Sequence, residues 1–467
     1  MAIQRLLISK LLLPLSRLTA GWSERTRDHV FIGSGLLIFA QYFLRGMGFA
    51  EYRFLVFFTI DCVFFGLMIL STLKSGLQPV RFRKFPAFCW FGVGLLMLLS
   101  GVLVSENRFP EVALFLVAYP VTFVVWSNLE HGKIFRLLSR TCVLSFIFYT
   151  AINILAYPMG ESRYAGLMRN QNGAAQYLVL VFSCLLVDLL PARKVNGKYV
   201  AKLVLMGLCV AQMYYTSSRT GYLGTIGTFA AAALLYVLTH VREKKRFLYR
   251  NIALGCLGAL VCVNLSLYLF QVSKLLPDGP SQDTVFTDPN TQDPAKPDSQ
   301  TSPDQAIHGL QGVKDVNGEK LAVEGKSLDN VSTGRVSVWK CFAADLNLLG
   351  HEDGKAYYIP SLEREISTAH NTILQVAYDS GVPSGILYLL YNLFSGVAAI
   401  WYAVRRREEP YALFPLAVTV SFGLTSLLAT LTPSFYYVNT FYYYLVQFPL
   451  IAELAASRSG APRTEAA

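Results

Sequence analysis

The sequence predicts an all-α polytopic membrane protein of about twelve transmembrane helices with one large extracytoplasmic loop. Hydrophobic residues make up 53% of the 467 positions and charged residues 15%, against roughly 45–50% and about 25% in soluble domains. The apolar residues gather into nearly charge-free runs of about 20, the length a helix needs to cross about 30 Å of hydrocarbon. Lys and Arg are also spread unevenly between alternate loops, as membrane orientation requires. A water-soluble globule is excluded on composition. The net charge of +11 then reports topology, and no nucleic-acid partner is expected.

Residues 1–28 form a cytoplasmic or interfacial segment. Leu6, Leu7, Leu11 to Leu13 and Leu15 are interrupted by Arg5, Lys10, Pro14 and Arg17, a pattern that suits an amphipathic helix lying in the membrane surface. A signal peptide would need a small-x-small cleavage site, which does not follow. Spans are expected at 29–44, 54–73, 85–104, 109–128, 141–157, 173–190, 203–216, 220–239 and 251–270, together the region 29–270. Three more follow at 384–403, 411–431 and 438–456, before a cytoplasmic tail at 457–467. Within the spans, Asp61 is almost the only charge.

With the N-terminus inside, the short inner loops carry nineteen basic residues, including Lys74, Arg83, Lys133, Arg193, Arg250 and Arg405 to Arg407. The short outer loops carry six: Arg45, Arg53, Arg108, Arg163, Arg169 and Arg219. This asymmetry puts both termini in the cytoplasm and the protein in the cytoplasmic (inner) membrane, in contact with its lipids. Seven of the eight cysteines lie within spans and Cys341 stands alone outside them, so no disulfide framework is expected.

The segment 271–382 differs from every other loop. It lies outside and holds 16 acidic and 9 basic residues, for a net −7. From 277 to 304 it is rich in Pro, Asp, Ser, Thr and Gln, which predicts a disordered insert. From 332 to 382 it is patterned and helical. Ser332-Thr333-Gly334 offers capping chemistry, and Arg335, Trp339, Phe342, Leu346 and Leu349 follow at helical spacing. A second helix is expected from His370 to Ser380, stopping at Gly381-Val382-Pro383.

Signatures of soluble enzymes are missing: there is no P-loop, dinucleotide fingerprint, H-E-x-x-H, G-x-S-x-G or D-x-D pair. No metal and no cofactor are expected, and His351-Glu352-Asp353 reads as a polar turn between two glycines. The informative residues are cations at the outer interface. Arg219 lies in Ser217-Ser218-Arg219-Thr220-Gly221 between two close spans. A snorkelling Arg would suit that position, but a tight turn also aims the backbone N–H groups of the next helix at the guanidinium, making an anion site. Arg335 opens the loop helix in the same way. It is either an ordinary solvated Arg or a second arm of a diphosphate site. His370 begins a helix leading to the membrane, as a capping residue or as a general base whose ordinary pKa of about 6.5 suits hydroxyl deprotonation. The stretch Arg163 to Asn172 offers Arg163, Arg169 and Asn172 for phosphate or sugar, or for capping the next span. Ser218 and Asn371 adjoin the principal residues as further possible contacts.

Taken in order, R-x-x-G…N at Arg163, S-R-T-G at Arg219, G-R-V-S-V-W at Gly334 to Trp339, and H-N followed after nine residues by G-V-P-S-G resemble the O-antigen ligase and O-antigen polymerase superfamily of bacterial membrane glycosyltransferases. The likeness covers roughly residues 160–400. It implies a C-type membrane glycosyltransferase fold and metal-independent, inverting transfer at the outer face. It also implies a polyprenyl-diphosphate-linked glycan as donor, typically on undecaprenol, and a glycan or lipid-core hydroxyl as acceptor. Carried onto this chain, Arg219 and Arg335 would hold the diphosphate and His370 would be the catalytic base. The family's G-x-x-G is one residue longer here, and the acidic insert is not a family requirement. Ligation, as in lipopolysaccharide assembly, is favoured on motif quality. Polymerisation of lipid-linked repeats shares the chemistry. A transporter or flippase would require charges at mid-depth in the spans, and a non-catalytic scaffold would leave Arg219, Arg335 and His370 far apart.

Overall fold

The structure, a computed structural model, describes residues 2–48, 54–156, 164–168, 170–240, 242–273, 334–352, 355–359, 364–432 and 434–454. Arg163, Arg169, the insert at 277–304, Ser332-Thr333 and the 457–467 tail lie outside the described residues.

The chain begins with α1 (Ala2–Leu7) and α2 (Leu13–Leu18), joined by a π-helical turn at Ile8–Leu12. Ile8, Leu12 and Ser16 are buried on one stripe against the rest of the protein, while Ile3, Leu6, Leu11 and Leu18 are exposed. Next come α3 (Glu24–Gly46), whose N-cap Ser23 accepts from Thr26 N, α4 (Phe54–Thr72) and the short strand β1 (Val80–Phe82). The helical run continues through α5 (Lys84–Leu103), α6 (Phe109–Ala113), α7 (Tyr119–Trp126) and α8 (His131–Ala156). It is extended by α9 (Gln171–Leu189), α10 (Gly197–Thr216), α11 (Arg219–Thr239) and α12 (Arg242–Ser273). The described part of the outer loop holds α13 (Arg335–Ala344), the hairpin β2 (Tyr357–Ile359) and β3 (Arg364–Ile366), and α14 (Thr372–Ser380). The chain returns through α15 (Val382–Arg405), α16 (Phe414–Ser426), α17 (Val438–Leu445), α18 (Phe448–Ile451) and β4 (Ala452–Leu454).

Among the described residues, eight helices are long and apolar enough to cross a membrane. The chain is therefore a helical membrane protein. The other expected spans coincide with α3, α10, α16 and the α17–α18 pair. The last of these differs from expectation: instead of one helix over 438–456, the chain breaks into two short helices and then a strand that pairs antiparallel with β1, Val80 opposite Leu454. Pro449 sits in the first turn of α18, where it cannot continue the preceding helix's hydrogen bonds but is tolerated as a start.

The core is built around α9, which packs against α8, α10, α11 and α16. Its residues from Ala174 to Val187 are buried on every face, as a helix apolar all round demands. The peripheral α11 and α12 expose Ile226, Leu234, Leu238, Leu257 and Leu260, which suits contact with lipid. A second aromatic centre gathers on Trp90, stacked on Phe115 at 4.6 Å with its indole N–H donating to Phe115 O at 2.8 Å.

The loops expected inside also meet one another. Lys74 and Lys133 both pair with Glu24, Lys202 pairs with Asp188, and Arg250 donates to Ala192 O and Arg193 O. At the opposite end Arg45 donates to Phe435 O and pairs with Asp61 at 2.6 Å. Ser100 there donates to Asp379 O. Asp61 is not alone among in-span charges: Glu111, inside the span expected at 109–128, is also buried and accepts from Ser434 N and Oγ.

Candidate functional site at the large-loop end of the bundle

The S-R-T-G turn folds as a helix junction. Ser217, at φ 52°, ends α10 in the left-handed region, and Ser218 caps α11 by accepting from Gly221 N at 3.3 Å. Arg219 is thus the first residue of α11, beside the free amides of that helix's opening turn. Ser218 Oγ also donates to Asn172 Oδ1 at 2.9 Å. Asn172 begins α9 beneath the Asn170 cap. Ser218 and Asn172, both expected as possible substrate contacts, are therefore engaged with each other in tying α9 to α11.

Arg335 opens α13, as its spacing predicted, but the cap is not a hydroxyl. Gly334 occupies the N-cap position at φ 80°, a conformation that costs a side-chain-bearing residue roughly 1–2 kcal/mol. The helix ends at Ala344, so Leu346 and Leu349 lie beyond it. Its inner face is not spread on a membrane: Val338 and Phe342 are buried in a small core with Tyr357, Ile359, Ile366, Ala369 and Tyr378. This core anchors α13, the hairpin and α14 to one another.

Arg335 Nη2 lies 3.4 Å from Thr220 Oγ1. The Arg335 guanidinium is held below its ordinary pKa by burial and then by the positive charge of Arg219. Two arginines 116 positions apart in the chain, each at a helix N-terminus, are thereby brought into each other's field. Like charges held together repel, and an anion placed between them relieves that repulsion while accepting hydrogen bonds from both.

His370 lies just ahead of α14, which starts at Thr372 with Asn371 as its cap. His370 adopts φ 48°, an uncommon conformation for a residue other than glycine, though one that His, like Asn and Asp, tolerates better than most. Both neighbours are clamped. Ala369 N donates to Gln375 Oε1 at 2.7 Å, while Asn371 accepts from Leu374 N and donates to Leu427 O at 3.2 Å. Thr372 Oγ1 donates to Ala429 O and accepts from Leu431 N. Ala369 belongs to the same small core as Val338, which lies one turn along α13 from Arg335. Asn371, expected as a possible substrate contact, has its amide engaged in holding α14 to the segment after α16.

The G-V-P-S-G junction is explained by Gly381, at φ 88°. A Cβ there would meet Leu348 O at 2.1 Å. The close approach lets Val382 N donate to Asn347 O at 2.9 Å and docks the loop after α13 on the α14–α15 corner. His351 is a structural residue of that docked loop: its ring stacks on Tyr378 at 4.1 Å and its Nε2 lies 3.4 Å from Asp345.

Sequence reasoning passed over Arg108, Glu111, Gln375, Thr430 and Tyr436, which line a cavity of about 430 Å³ between α6, α14 and the segment after α16. One signal was available: Arg108, like Arg219, is among the few arginines of the loops expected outside. No family model matches the chain, and no curated protein matches it.

Proposed function

We propose that this protein is a glycosyltransferase of the cytoplasmic membrane that moves a glycan from a polyprenyl diphosphate to an acceptor hydroxyl at the outer face, in the manner of an O-antigen ligase. The single observation that carries the reading is the pairing of Arg335 with the Arg219-Thr220 turn. In this scheme the two guanidiniums and the opening amides of α11 and α13 bind the diphosphate. His370 takes the proton from the acceptor hydroxyl. The hydroxyl oxygen attacks the anomeric carbon from the face opposite the diphosphate, the anomeric C–O bond breaks, and its electron pair leaves on the polyprenyl diphosphate. The configuration inverts. Fixed cations at the leaving group stabilise the charge as it develops, and removal of one such donor from a preorganised site typically slows reaction by about 10²–10³. Polymerisation of lipid-linked repeats uses the same steps with a different acceptor and remains the alternative.

Purified protein in lipid nanodiscs, given a polyprenyl-diphosphate-linked glycan and a lipid-core acceptor, is expected to release polyprenyl diphosphate and enlarge the acceptor. If wild-type protein releases none with either a lipid-core or a lipid-linked-repeat acceptor, the reading fails.

A further inference from the structure

The cavity of about 430 Å³ is chemically unlike the arginine pair. Its charged lining comprises Arg108, Glu111, Glu352, Lys355 and Asp379, three carboxylates against two cations, so it does not attract an anion as Arg219 and Arg335 do. Four of these five charges are already held. Arg108 Nη1 donates to Ser380 Oγ at 3.3 Å and Nη2 to His351 O. Glu111 accepts from Ser434, Lys355 pairs with Asp345, and Gln375 Nε2 donates to Asp379 Oδ1 at 2.8 Å. Such groups form a fixed array of donors and acceptors instead of loose counterions. The wall also includes Asn107, Tyr436 and Tyr437, an amide and two rings. Thr430 lines it too, and its buried Oγ1 is without a hydrogen-bond partner among the described residues. A buried hydroxyl left so costs about 1–3 kcal/mol unless something occupies the space beside it.

Alternating donors and acceptors, an aromatic wall and near-balanced charge suit a polyol: each sugar hydroxyl both gives and takes a hydrogen bond, and a pyranose face packs on a ring. A volume in the range of small-molecule pockets is large enough for one or two sugar rings. Position separates the two sugars of the reaction. Ser367 and Thr368 line the cavity, and His370 follows Thr368 by two residues, within about 7 Å along the chain. The hydroxyl a general base deprotonates must lie within hydrogen-bond reach of it. The geometry points to this cavity as the subsite for the acceptor sugar, a neutral or amine-bearing pyranose presenting its hydroxyl toward His370. This assignment rests on the transfer reading above for the word acceptor, but not for the word sugar. A phosphate-bearing part of an acceptor is excluded from it by the carboxylates.

Binding is read first, without donor. Full-length protein in nanodiscs is exposed to diazirine derivatives of the methyl glycosides of glucose, galactose, mannose and N-acetylglucosamine, irradiated and mapped by peptide mass spectrometry. At least one is expected to label segments 104–111, 367–380 or 430–437, and Thr430→Val, Asn107→Ala and Tyr436→Ala are each expected to weaken labelling by about threefold to tenfold, the effect of one lost hydrogen bond or ring contact. Labelling only elsewhere, labelling unchanged in all three variants, or displacement by inorganic diphosphate overturns the subsite. Transfer kinetics then separate the sources. The same variants are expected to raise KM for the acceptor and leave KM for the donor unchanged; a rise for the donor alone overturns the assignment. Cavity labelling in a protein that transfers nothing upholds the sugar site and overturns the transfer reading. Transfer with an acceptor KM indifferent to all three variants does the reverse.

Discussion

Arg335 reaches back across 115 positions to Thr220, its Nη2 3.4 Å from the threonine Oγ1. That contact joins the first turn of α13, in the outer loop, to the first turn of α11, in the bundle. Two helix N-termini and two guanidiniums therefore face a common region at the large-loop end of the bundle, where a diphosphate would find several donors at once.

If the pairing serves a diphosphate, geometry matters as much as charge. Arg335→Lys is expected to be nearly as damaging as Arg335→Ala, each lowering kcat/KM by roughly 10²–10³-fold, because an ammonium cannot reproduce the guanidinium's fork. Steady-state transfer with both variants checks this. Full activity in the Lys variant would remove the bidentate role.

His370 combines a proposed chemical role with an unusual backbone. Asn tolerates the left-handed region far better than Ala, so His370→Asn separates the two. Both His370→Asn and His370→Ala are expected to lose turnover by roughly 10²–10⁴ while still binding the donor. Only the Ala variant should also lower the thermal midpoint. Retained turnover in His370→Asn would end the general-base assignment.

The outer loop should loosen in acid. Burial raises the Asp345 pKa, but hydrogen bonds from Lys355 and Tyr357 outweigh it and hold the carboxyl below its ordinary value. A depressed carboxyl contributes stability above the unfolded pKa of about 3.9, and that contribution fades as the pH falls below it. Because Asp345 is 38% exposed, the effect is expected to be no more than about 1 kcal/mol. Trp339 fluorescence and amide exchange across α13 between pH 5 and pH 3 would show the loosening. Asp345→Asn should flatten the dependence, and an unchanged profile would rule this carboxyl out.

Gly381 holds the corner between α14 and α15. Gly381→Ala is expected to destabilise the protein by roughly 1–3 kcal/mol from its backbone conformation alone, φ 88° and ψ 153°, with more from the clash with Leu348 O. A lowered thermal midpoint in detergent with donor affinity preserved is the expected pattern. An unchanged midpoint would mean that the loop does not dock as described.

The sequence by itself determined what depends on neighbours in the chain. Apolar runs marked twelve spans, because the cost of burying charge in hydrocarbon is read residue by residue, and eight helices among the described residues are long and apolar enough to cross a membrane. Helix starts at Arg219, Arg335 and Thr372 were legible to within two residues from turn and cap chemistry, although of the Ser332-Thr333-Gly334 triplet it is the glycine that holds the cap, and Asn371 rather than His370 caps the helix at Thr372. Tertiary structure alone decided what depends on packing. It broke the final span at Pro449 and paired β4 with β1. It turned Ser218 and Asn172 toward each other and buried Glu111 against Ser434. It also assembled a cavity from segments near 107, 367, 379 and 430. Hydropathy and capping are local energies, whereas which helix ends meet is set by how side chains interlock across the bundle, and no spacing along one chain records that.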